Sequence, residues 1–349
     1  MTTVRLRGRR SLRAAVIAGI TAVLALCAAC SSDNGASGDG GLTPFAFQTS
    51  WIPIVEFGGS YVAHHEGFYK KNGLDVSILP GGPEVDNMAA VVSGQADIGL
   101  GSADQVAKAN ANGAGLVIVA AGFQKNPLCI LSSPAKPIRT PSDLEGKKIG
   151  IPSGDTANHT AFAEANHLDT GKITTVPVGF DVAPLVSGEV DGLYAFYSEQ
   201  PVAYEEATGK AGVTMLAADH GLDVYSEVYV VKKDTLADAD KKASVVGFLK
   251  GEILGWQDYV ADPTKAVELT VNVYAKDGGL TIAQQTKQAK LQMDLLVTDE
   301  TKAHGLFWMS TDGIKKNLAT LAALNIPADE SLFDTSLLTD IYQGKNTIS

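Results

Sequence analysis

The sequence contains little cysteine, with three residues in a chain of 349. Three cysteines cannot build a disulfide scaffold. Two of them, Cys27 and Cys30, lie near the N-terminus, so Cys129 stands alone in the rest of the chain. It lies in an apolar run and is interpreted as buried packing. The adjacent His64 and His65 would point to different sides of a helix, so we expect no metal site there.

Positive charge is also scarce. The chain has 28 Lys and Arg against 39 Asp and Glu, and five of those Arg fall within residues 1–29. Without that segment, 23 basic side chains face 39 acidic ones, a net charge of −16. Such a surface repels nucleic acids and disfavours anionic small molecules at long range, so we expect no nucleic-acid partner.

Motifs of catalysis are missing as well. We find no nucleophile elbow, no phosphate-binding loop and no pair of histidines at metal-binding spacing. With 45% apolar residues, 36 glycines and a length sufficient for two cores, the composition is typical of a soluble α/β protein. The sequence therefore predicts a protein that is not an enzyme and has no cofactor.

The N-terminus is typical of a secretory signal, with a basic start and an apolar run from Ala14 to Leu26. Ala28-Ala29-Cys30 resembles the bacterial lipobox, although Cys27 replaces the usual Leu. We predict a signal peptide over 1–29, lipidation at Cys30 and a Gly/Ser-rich tether over 30–41. An ordinary signal peptide followed by a chance Cys is the alternative. Either way, we expect the protein outside the cytoplasm, held by acyl chains at the outer face of the cell membrane if Cys30 is lipidated.

A segment at 92–105 has a second version at 186–200. In both copies a helical run ends in Ser-Gly, an Asp follows three residues later, and a short apolar strand leads into a polar loop. Glycine suits a helix C-terminus, and strands that end in small or polar residues present ligands in open α/β sheets. The repetition indicates two similar lobes.

Strands and helices alternate along the folded chain, which predicts largely parallel sheets. We predict strands at 44–50, 74–79, 96–100, 116–123, 128–133, 147–151, 173–178, 192–196 and 225–232, and helices at 61–71, 83–92, 103–112, 156–167 and 182–186. A connector with Pro134, Pro137 and Pro141 is the expected crossing between lobes. We expect lobe one to contain 42–131 with 229–349, and lobe two 132–228.

Four motifs in order carry a family resemblance. They are Gly-Gly-Ser-Tyr-Val-Ala-His-His-Glu-Gly-Phe-Tyr-Lys-Lys-Asn-Gly-Leu-Asp-Val at 58–76, Gly-Gly-Pro at 81–83, Ser-Gly-Gln-Ala-Asp-Ile-Gly at 93–99 and Asp-Leu-Glu-Gly-Lys-Lys-Ile-Gly at 143–150. The chain resembles the solute-binding proteins of ABC importers, in the branch that binds thiamine pyrimidines, sulfonates and nitrate. The resemblance implies a type II two-lobed fold. In it each lobe is a mixed, mostly parallel sheet flanked by helices, two crossover segments join the lobes, and the C-terminal region is helical. It also implies a monomer that delivers a small molecule to a permease and its ATPase.

Candidate ligand-binding residues lie at the carboxyl ends of the strands, where open α/β sheets bind ligands. Aromatic and acidic side chains dominate this set, which consists of Trp51, Gly82, Pro83, Ser102, Asp104, Gln124, Ser153, Asp155, Thr156, Tyr194, Tyr197, Glu199, Tyr225 and Glu227. Trp51 with Tyr194 or Tyr197 could sandwich a flat ring, and the acids could accept hydrogen bonds from ring amino groups. Asp155 could instead cap a helix. Trp51 could be a core residue, and Glu227 could be a surface residue of its strand.

The hypothesis that follows is a lipoprotein receptor that closes on a planar heterocycle, first a thiamine-precursor aminopyrimidine and next a flavin-like ring. A binder of sulfonate, taurine or nitrate is the alternative within the same fold. An enzyme resembling the pyrimidine synthases that share the fold is the alternative from another class. Those enzymes carry a cysteine-rich iron motif, which the chain lacks after Cys30.

Overall fold

The computed structural model describes residues 41–152 and 155–349. The expected signal peptide, Cys30, the tether as far as residue 40, and Ser153 lie outside the described residues. The remaining chain from Leu42 to Ser349 forms one compact unit.

Within the part of the chain that the structure describes, ten strands build two five-stranded sheets, ordered β2-β1-β3-β10-β4 and β7-β6-β8-β5-β9. The strands are β1 (Thr43–Gln48), β2 (Leu74–Leu79), β3 (Ile98–Gly101), β4 (Leu116–Phe123), β5 (Leu128–Ser132), β6 (Lys148–Pro152), β7 (Thr174–Val178), β8 (Gly192–Phe196), β9 (Val213–Leu216) and β10 (Ser226–Lys232). In each sheet one strand, β10 or β5, runs antiparallel between neighbours that share the opposite direction. The sheets are therefore mixed with most strands parallel, as expected.

Helices cover both faces of each sheet. They are α1 (Gly58–His65), α2 (Phe68–Lys71), α3 (Asn87–Ser93), α4 (Ala103–Ala111), α5 (Thr156–Ala165), α6 (Ala183–Ser187), α7 (Gln200–Thr208), α8 (Lys233–Ala237), α9 (Ala239–Ala261), α10 (Thr264–Leu269), α11 (Ile282–Leu296), α12 (Asp299–His304), α13 (Thr311–Ala323) and α14 (Ser336–Tyr342). The first sheet separates two apolar clusters, one on the side of α1 and α9 and the other on the side of α3 and α4. Two smaller clusters flank the second sheet. Burial of apolar side chains on both faces explains the layered fold.

The chain crosses between the sheets at two places. β4 ends at Phe123 in the first sheet, and β5 pairs with β8 and β9 in the second. The first crossing is thus residues 124–127, and the prediction of a crossing at Pro134, Pro137 and Pro141 was wrong. The second crossing precedes β10. The crossings are joined because Asn126 Nδ2 donates to Val224 O over 3.2 Å.

Two strand segments change lobe as a result. Residues 128–131 were expected in lobe one, but they belong to the second sheet. Residues 226–228 were expected in lobe two, but they pair with β4 and β3 of the first sheet. Both boundaries move toward the N-terminus by a few residues, since β-pairing decides lobe membership and the proline-rich connector is a surface loop of the second lobe.

Two helices near the cleft differ from the expectation. The helix predicted from Pro83 begins only at Asn87, since Asp86 caps it by accepting a hydrogen bond from Ala89 N over 2.9 Å. The helix predicted over 61–71 is two helices, because Gly67 has φ 70° and breaks the run. No helix within the described ranges is long and apolar enough to span a membrane.

Candidate functional site

A cavity of about 270 Å³ lies between the two sheets. It opens beyond the carboxyl ends of β1, β3, β6 and β8, and beyond the start of the reversed strand β10, where an open α/β sheet places a ligand. Its walls consist of Ser50, Trp51, Glu56, Asn87, Gly101, Ser102, Gln105, Asn126, Pro127, Leu128, Pro152, Asp155, Asn158, Phe180, Tyr194, Ala195, Phe196, Glu199, Gln200, Ser226 and Glu227.

Six of the residues predicted from the sequence meet in this cavity, namely Trp51, Ser102, Asp155, Tyr194, Glu199 and Glu227. Asp155 stands at the N-cap position of α5 without making a capping bond, and it accepts a hydrogen bond from Asn158 Nδ2 over 3.0 Å. Burial raises its pKa, and the Asn158 bond opposes that rise. Asp155 therefore faces the cleft rather than the helix amides.

Four predicted residues from lobe one lie outside the cavity wall. Gly82 and Pro83 follow Gly81, whose N–H donates to Trp51 O over 3.0 Å, so this turn supports the backbone of Trp51. Asp104 is turned toward Lys108, with a 2.7 Å ion pair. The amide of Gln124 is buried and donates to Ala121 O over 2.9 Å.

Three further predictions, near lobe two and the return crossing, are also displaced. Tyr197 donates its hydroxyl to Asp294 on α11 over 3.0 Å, which with burial raises its pKa to about 12. Tyr225 is buried with its hydroxyl beside Gly313, where an added Cβ would lie 1.8 Å away. Thr156 faces a shallow depression beside β6 and β7. Tyr197 follows β8, Tyr225 precedes β10 and Thr156 begins α5, so all three lie outside the strands and their directions depend on local packing.

Besides Asp155, three glutamate carboxyls line the cavity. Glu56 and Glu227 are 4% and 8% exposed, and Glu199 is partly exposed. Ser50 Oγ donates to Glu227 Oε2 over 2.7 Å. Desolvation raises the pKa of Glu199 and of Glu227 to about 7, and burial with the charges of Glu227 and Glu199 raises that of Glu56 well above its ordinary value. Among the described lining residues there is no Lys, Arg or His to neutralise these acids.

Glu56 was not predicted because distant residues place it. It lies in a 3₁₀ turn, Val55–Phe57, where a strand-end argument has nothing to detect. Helix α11 holds this turn, because Gln285 Oε1 accepts from Val55 N over 2.7 Å and Gln292 Nε2 donates to Glu56 O over 2.9 Å. Both glutamine side chains are fully buried. A buried Gln pair facing a distant turn leaves no local sequence signal.

Glu227 has a left-handed backbone, with φ 49°. Glycine is the usual residue in this region, and other residues there cost free energy that a functional site can hold in place. The neighbouring strand accommodates it through Gly122, where an added Cβ would lie 2.7 Å from Glu227 O. This irregularity aims the Glu227 carboxyl into the cleft.

Two amide side chains of the cavity wall, Asn87 and Gln200, differ in how their oxygens are satisfied. Asn87 Nδ2 donates to the backbone carbonyl of Ser50 over 3.1 Å, which fixes its Oδ1 on the other side. Asn87 Oδ1 is the buried side-chain polar atom that has no hydrogen-bond partner within residues 41–152 and 155–349. Gln200 is satisfied on both sides, because its Nε2 donates to Phe180 O over 3.1 Å and its Oε1 accepts from Phe196 N over 2.7 Å. Asn87 Oδ1 and the glutamate carboxyls are therefore the acceptors that a ligand with N–H groups could satisfy.

Aromatic side chains form the rest of the wall. Trp51 from lobe one meets Phe180 from lobe two edge to face, with ring centroids 5.7 Å apart. Phe180 is 53% exposed and lies in the loop between β7 and α6, and it was not among the residues predicted from the sequence. Tyr194 lines the cavity and its hydroxyl lies 3.1 Å from His159 Nδ1. Burial lowers the pKa of His159, so this ring is neutral near pH 7. Flat ligands suit such a wall.

Several known proteins are similar to this chain. Residues 54–266 match the family model described as NMT1/THI5 like. The formylaminopyrimidine-binding protein of Halalkalibacterium halodurans is 25% identical over 73% of this chain and 77% of its own length. The riboflavin-binding protein RibY of Chloroflexus aurantiacus is 24% identical over 78% and 80%. A Schizosaccharomyces pombe 4-amino-5-hydroxymethyl-2-methylpyrimidine phosphate synthase is 23% identical over half of each chain, with 50% and 52% covered.

Solved structures share the fold. The zinc-bound ligand-binding component of an ABC-type import system from Staphylococcus aureus matches with a TM-score of 0.63 and 14% identity, over 85% of this chain and 98% of that one. The alkanesulfonate-binding protein SsuA of Xanthomonas axonopodis pv. citri, bound to MOPS, matches with a TM-score of 0.56 and 16% identity, over 84% and 96%. The chain therefore has the periplasmic binding protein fold that these structures share.

Proposed function

The chain belongs to the NMT1/THI5-like family, and we propose that it is the extracytoplasmic substrate-binding component of an ABC importer. It takes up a small planar heterocycle that carries an amino group, first among these an aminopyrimidine. The observation that carries the proposal is the cavity wall itself, in which four carboxyl groups and Asn87, with its unpartnered Oδ1, share the lining with Trp51 and Tyr194.

The size of the cavity favours a single ring. Pockets for drug-sized ligands span roughly 300–1,000 Å³, and this cavity measures about 270 Å³. A pyrimidine with short substituents fits that volume better than a three-ring flavin. A flavin-like ring is thus the second candidate ligand, and the name of the riboflavin-binding relative RibY supports it.

Charge argues against the anionic alternative. A sulfonate or nitrate would have to replace a hydration shell with carboxylates and amide oxygens, in a described wall without a cationic side chain. Asp155 occupies the start of α5, which removes room for an anion at those helix amides. An aminopyrimidine instead offers N–H donors to the same acceptors.

Capture follows from closure of the two lobes. Trp51, Asn87 and Glu227 belong to lobe one, and Asp155, Tyr194 and Glu199 to lobe two, so a bound ring contacts both. A ligand shifts the balance toward the closed form only by its difference in affinity between closed and open states. The closed form is then what the permease and its ATPase receive.

Isothermal calorimetry on the full chain in detergent tests the ligand. We expect saturable binding of 4-amino-5-hydroxymethyl-2-methylpyrimidine or formylaminopyrimidine and weaker binding of riboflavin and taurine. Trp51→Ala should weaken pyrimidine binding. Trp308, which is half-buried like Trp51 but lies outside the cavity wall, can be changed to Ala as the matched control. Tight taurine or nitrate binding without a pyrimidine response would overturn the proposal, and conversion of any added pyrimidine would indicate an enzyme.

The membrane anchor is a separate part of the proposal. We propose that Cys30 carries acyl chains and that residues 31–41 tether the folded part at the outer face of the membrane. Mass spectrometry of the mature N-terminus should find a lipid-modified Cys30, and Cys30→Ser should release the protein from membranes. Cys27→Ser is the matched control and should leave the protein membrane-bound. If Cys27→Ser releases the protein and Cys30→Ser does not, the lipidated residue is Cys27.

A further inference from the structure

The floor of the cleft joins Asn87, Ser50 and Glu227 in one chain of hydrogen bonds. Asn87 Nδ2 donates to Ser50 O over 3.1 Å, and Ser50 Oγ donates to Glu227 Oε2 over 2.7 Å. Ser50 thus holds the amide on one side and the carboxyl on the other. Behind them Glu56 is 4% exposed and shares the cavity wall with Glu227.

These two buried acids lack the compensation that buried carboxylates require. Unpaired charges are costly to bury, and two neighbouring carboxyls avoid the cost by keeping a proton between them. Ser50 supplies one donor to Glu227, whereas Glu56 faces Glu227 and Glu199. Asn87 lines the same cavity, and its buried Oδ1 has no donor within the described residues. The arrangement is complete only when a proton or a ligand with N–H groups is added.

We propose that Glu227, backed by Glu56 and flanked by Asn87, selects the ligand by exchanging a shared proton of the empty cleft for the amino-bearing edge of a ring. The proposal rests on the proposed function for the identity of the ring. In the empty protein Glu56 and Glu227 hold the proton together. When an aminopyrimidine binds, the ring nitrogen takes up that proton, its N–H and amino group face the ionised Glu227, and a second N–H reaches Asn87 Oδ1.

Charge is conserved in this step. The proton moves from the carboxyl pair to the ring nitrogen, so the pair gains a negative charge and the ring a positive one in contact with it. The raised pKa values of Glu227 and Glu56, due mainly to burial, place the proton on the pair near neutral pH. A ring with a carbonyl in place of the amino group would turn an acceptor toward Glu227 and Asn87, and would be rejected.

The titratable groups around the pair come from several elements. Glu199 stands at the start of α7, Tyr61 lies on α1 and Tyr259 on α9, and all three act on Glu56 or respond to its charge. Tyr229 on β10 responds to the charge of Glu227. Burial raises the pKa of each of these tyrosines, so they remain neutral and the carboxyl groups are the ones that titrate near pH 7.

Carbon-13 NMR of the side-chain carboxyls tests the exchange in the full chain, held in detergent and labelled at glutamate. In the empty protein we expect glutamate resonances that titrate near or above pH 7 and that change in Glu227→Gln. At pH 6.5, addition of 4-amino-5-hydroxymethyl-2-methylpyrimidine should move them to the ionised position. Glu164→Gln, on the exposed face of α5, is the matched control and should leave those resonances unchanged.

Calorimetry completes the test. Glu227→Gln should weaken binding of the aminopyrimidine roughly 10- to 100-fold, the range for hydrogen bonds to a charged group, and should remove the preference over the 4-oxo analogue. Glutamates that all titrate below pH 5 in the empty protein, or a pair that stays protonated when the ligand binds, would overturn the exchange. If no pyrimidine binds but the raised titration is present, the shared proton stands and the ring assigned to the cleft is wrong.

Discussion

Two buried carboxylate centres in the first lobe have opposite designs. Glu252 on α9 is fully buried and accepts hydrogen bonds from Ser60 Oγ over 2.9 Å, Tyr229 OH over 2.6 Å, Trp256 Nε1 over 3.0 Å and the Tyr69 hydroxyl. Glu227 in the cleft receives one such bond, from Ser50. A carboxylate with its acceptor capacity filled from within holds a core together, whereas one that lacks donors is left open to a ligand.

The two centres are connected through strand β10. Glu227 and Tyr229 both belong to β10, and the Tyr229 hydroxyl is committed to Glu252. Helices α1, α2 and α9 meet at Glu252 through Ser60, Tyr69 and Trp256. The filled centre therefore fixes the strand that carries the unfilled one. We infer that rigidity of the first centre is what allows the second to remain short of partners without collapsing.

The largest effect should come from removing the filled centre. Glu252→Ala leaves four buried donors without an acceptor, so we expect the free energy of unfolding to fall by about 3–5 kcal/mol, as when one partner of a buried charged network is removed. Glu252→Gln keeps an acceptor and should lose less. Urea unfolding measures both. Ligand affinity of the folded variant should be little changed, and a stability loss under about 1 kcal/mol would contradict the comparison.

The second effect concerns pH. For Glu227 the folded pKa of about 7 lies above the unfolded one, so between those values the folded state binds more protons than the unfolded state. Stability contributed by such a group is complete at low pH and is lost as pH rises toward 7, by about 1.4 kcal/mol for each unit of raised pKa. Urea unfolding from pH 5 to pH 8 should show this decline.

Glu227→Gln is the variant that isolates this decline. The stability that the variant loses relative to the wild type should be larger at pH 5 than at pH 8, so its free energy of unfolding should depend less steeply on pH. Glu164→Gln should keep the pH dependence of the wild type. An unchanged slope in Glu227→Gln would show that Glu227 is ionised throughout. That outcome would remove the difference between the two centres.

The third effect comes from the strand beside Glu227. Gly122→Ala would place a Cβ 2.7 Å from Glu227 O and 3.1 Å from its Cβ. We expect the left-handed backbone of Glu227 to shift, with a stability loss of about 1–3 kcal/mol, typical of overpacking. Aminopyrimidine affinity should also fall, because the Glu227 carboxyl would no longer point into the cleft. Gly113→Ala is the matched control, since that glycine has open space around it.

Gly113 has φ 84°, so its substitution carries backbone strain without displacing a neighbour. The control should therefore lose some stability and retain affinity. Equal losses of affinity in the two variants would mean that the effect of Gly122→Ala is not local to Glu227. Calorimetry and urea unfolding on both proteins decide this.

The fold was predictable because its signals are local. Apolar runs and glycine caps placed β2, β4 and β8 at the observed residues. Strand ends led to six of the lining residues, among them Trp51 and Glu227. Side-chain direction was not predictable, since Tyr197 and Tyr225 lie just outside their strands and are oriented by contacts with α11 and α13.

The parts of the site that were missed depend on long-range contacts. Glu56 is held by Gln285 and Gln292, which lie far along the chain. Asn87 was hidden by the expectation of a helix from Pro83, which made it a residue of the helix interior rather than of the first turn. Pattern reasoning places strands and their ends, but it does not detect a turn whose position a distant helix decides.

The smallest effect on stability should come from the unpartnered amide. Asn87→Ala removes one hydrogen bond to Ser50 O and one buried acceptor without a donor, and these two changes largely offset each other. We expect the free energy of unfolding to change by less than about 1 kcal/mol, while aminopyrimidine affinity falls roughly 10-fold.

Asn110 is the matched contrast. It is filled on both sides, donating to Leu116 O over 2.9 Å and accepting from Leu116 N over 2.7 Å. Asn110→Ala should therefore cost stability and keep affinity, so that the two asparagines repeat the contrast between Glu252 and Glu227. The reverse pattern in calorimetry and urea unfolding would show that an unfilled acceptor in this cleft is not a mark of ligand binding.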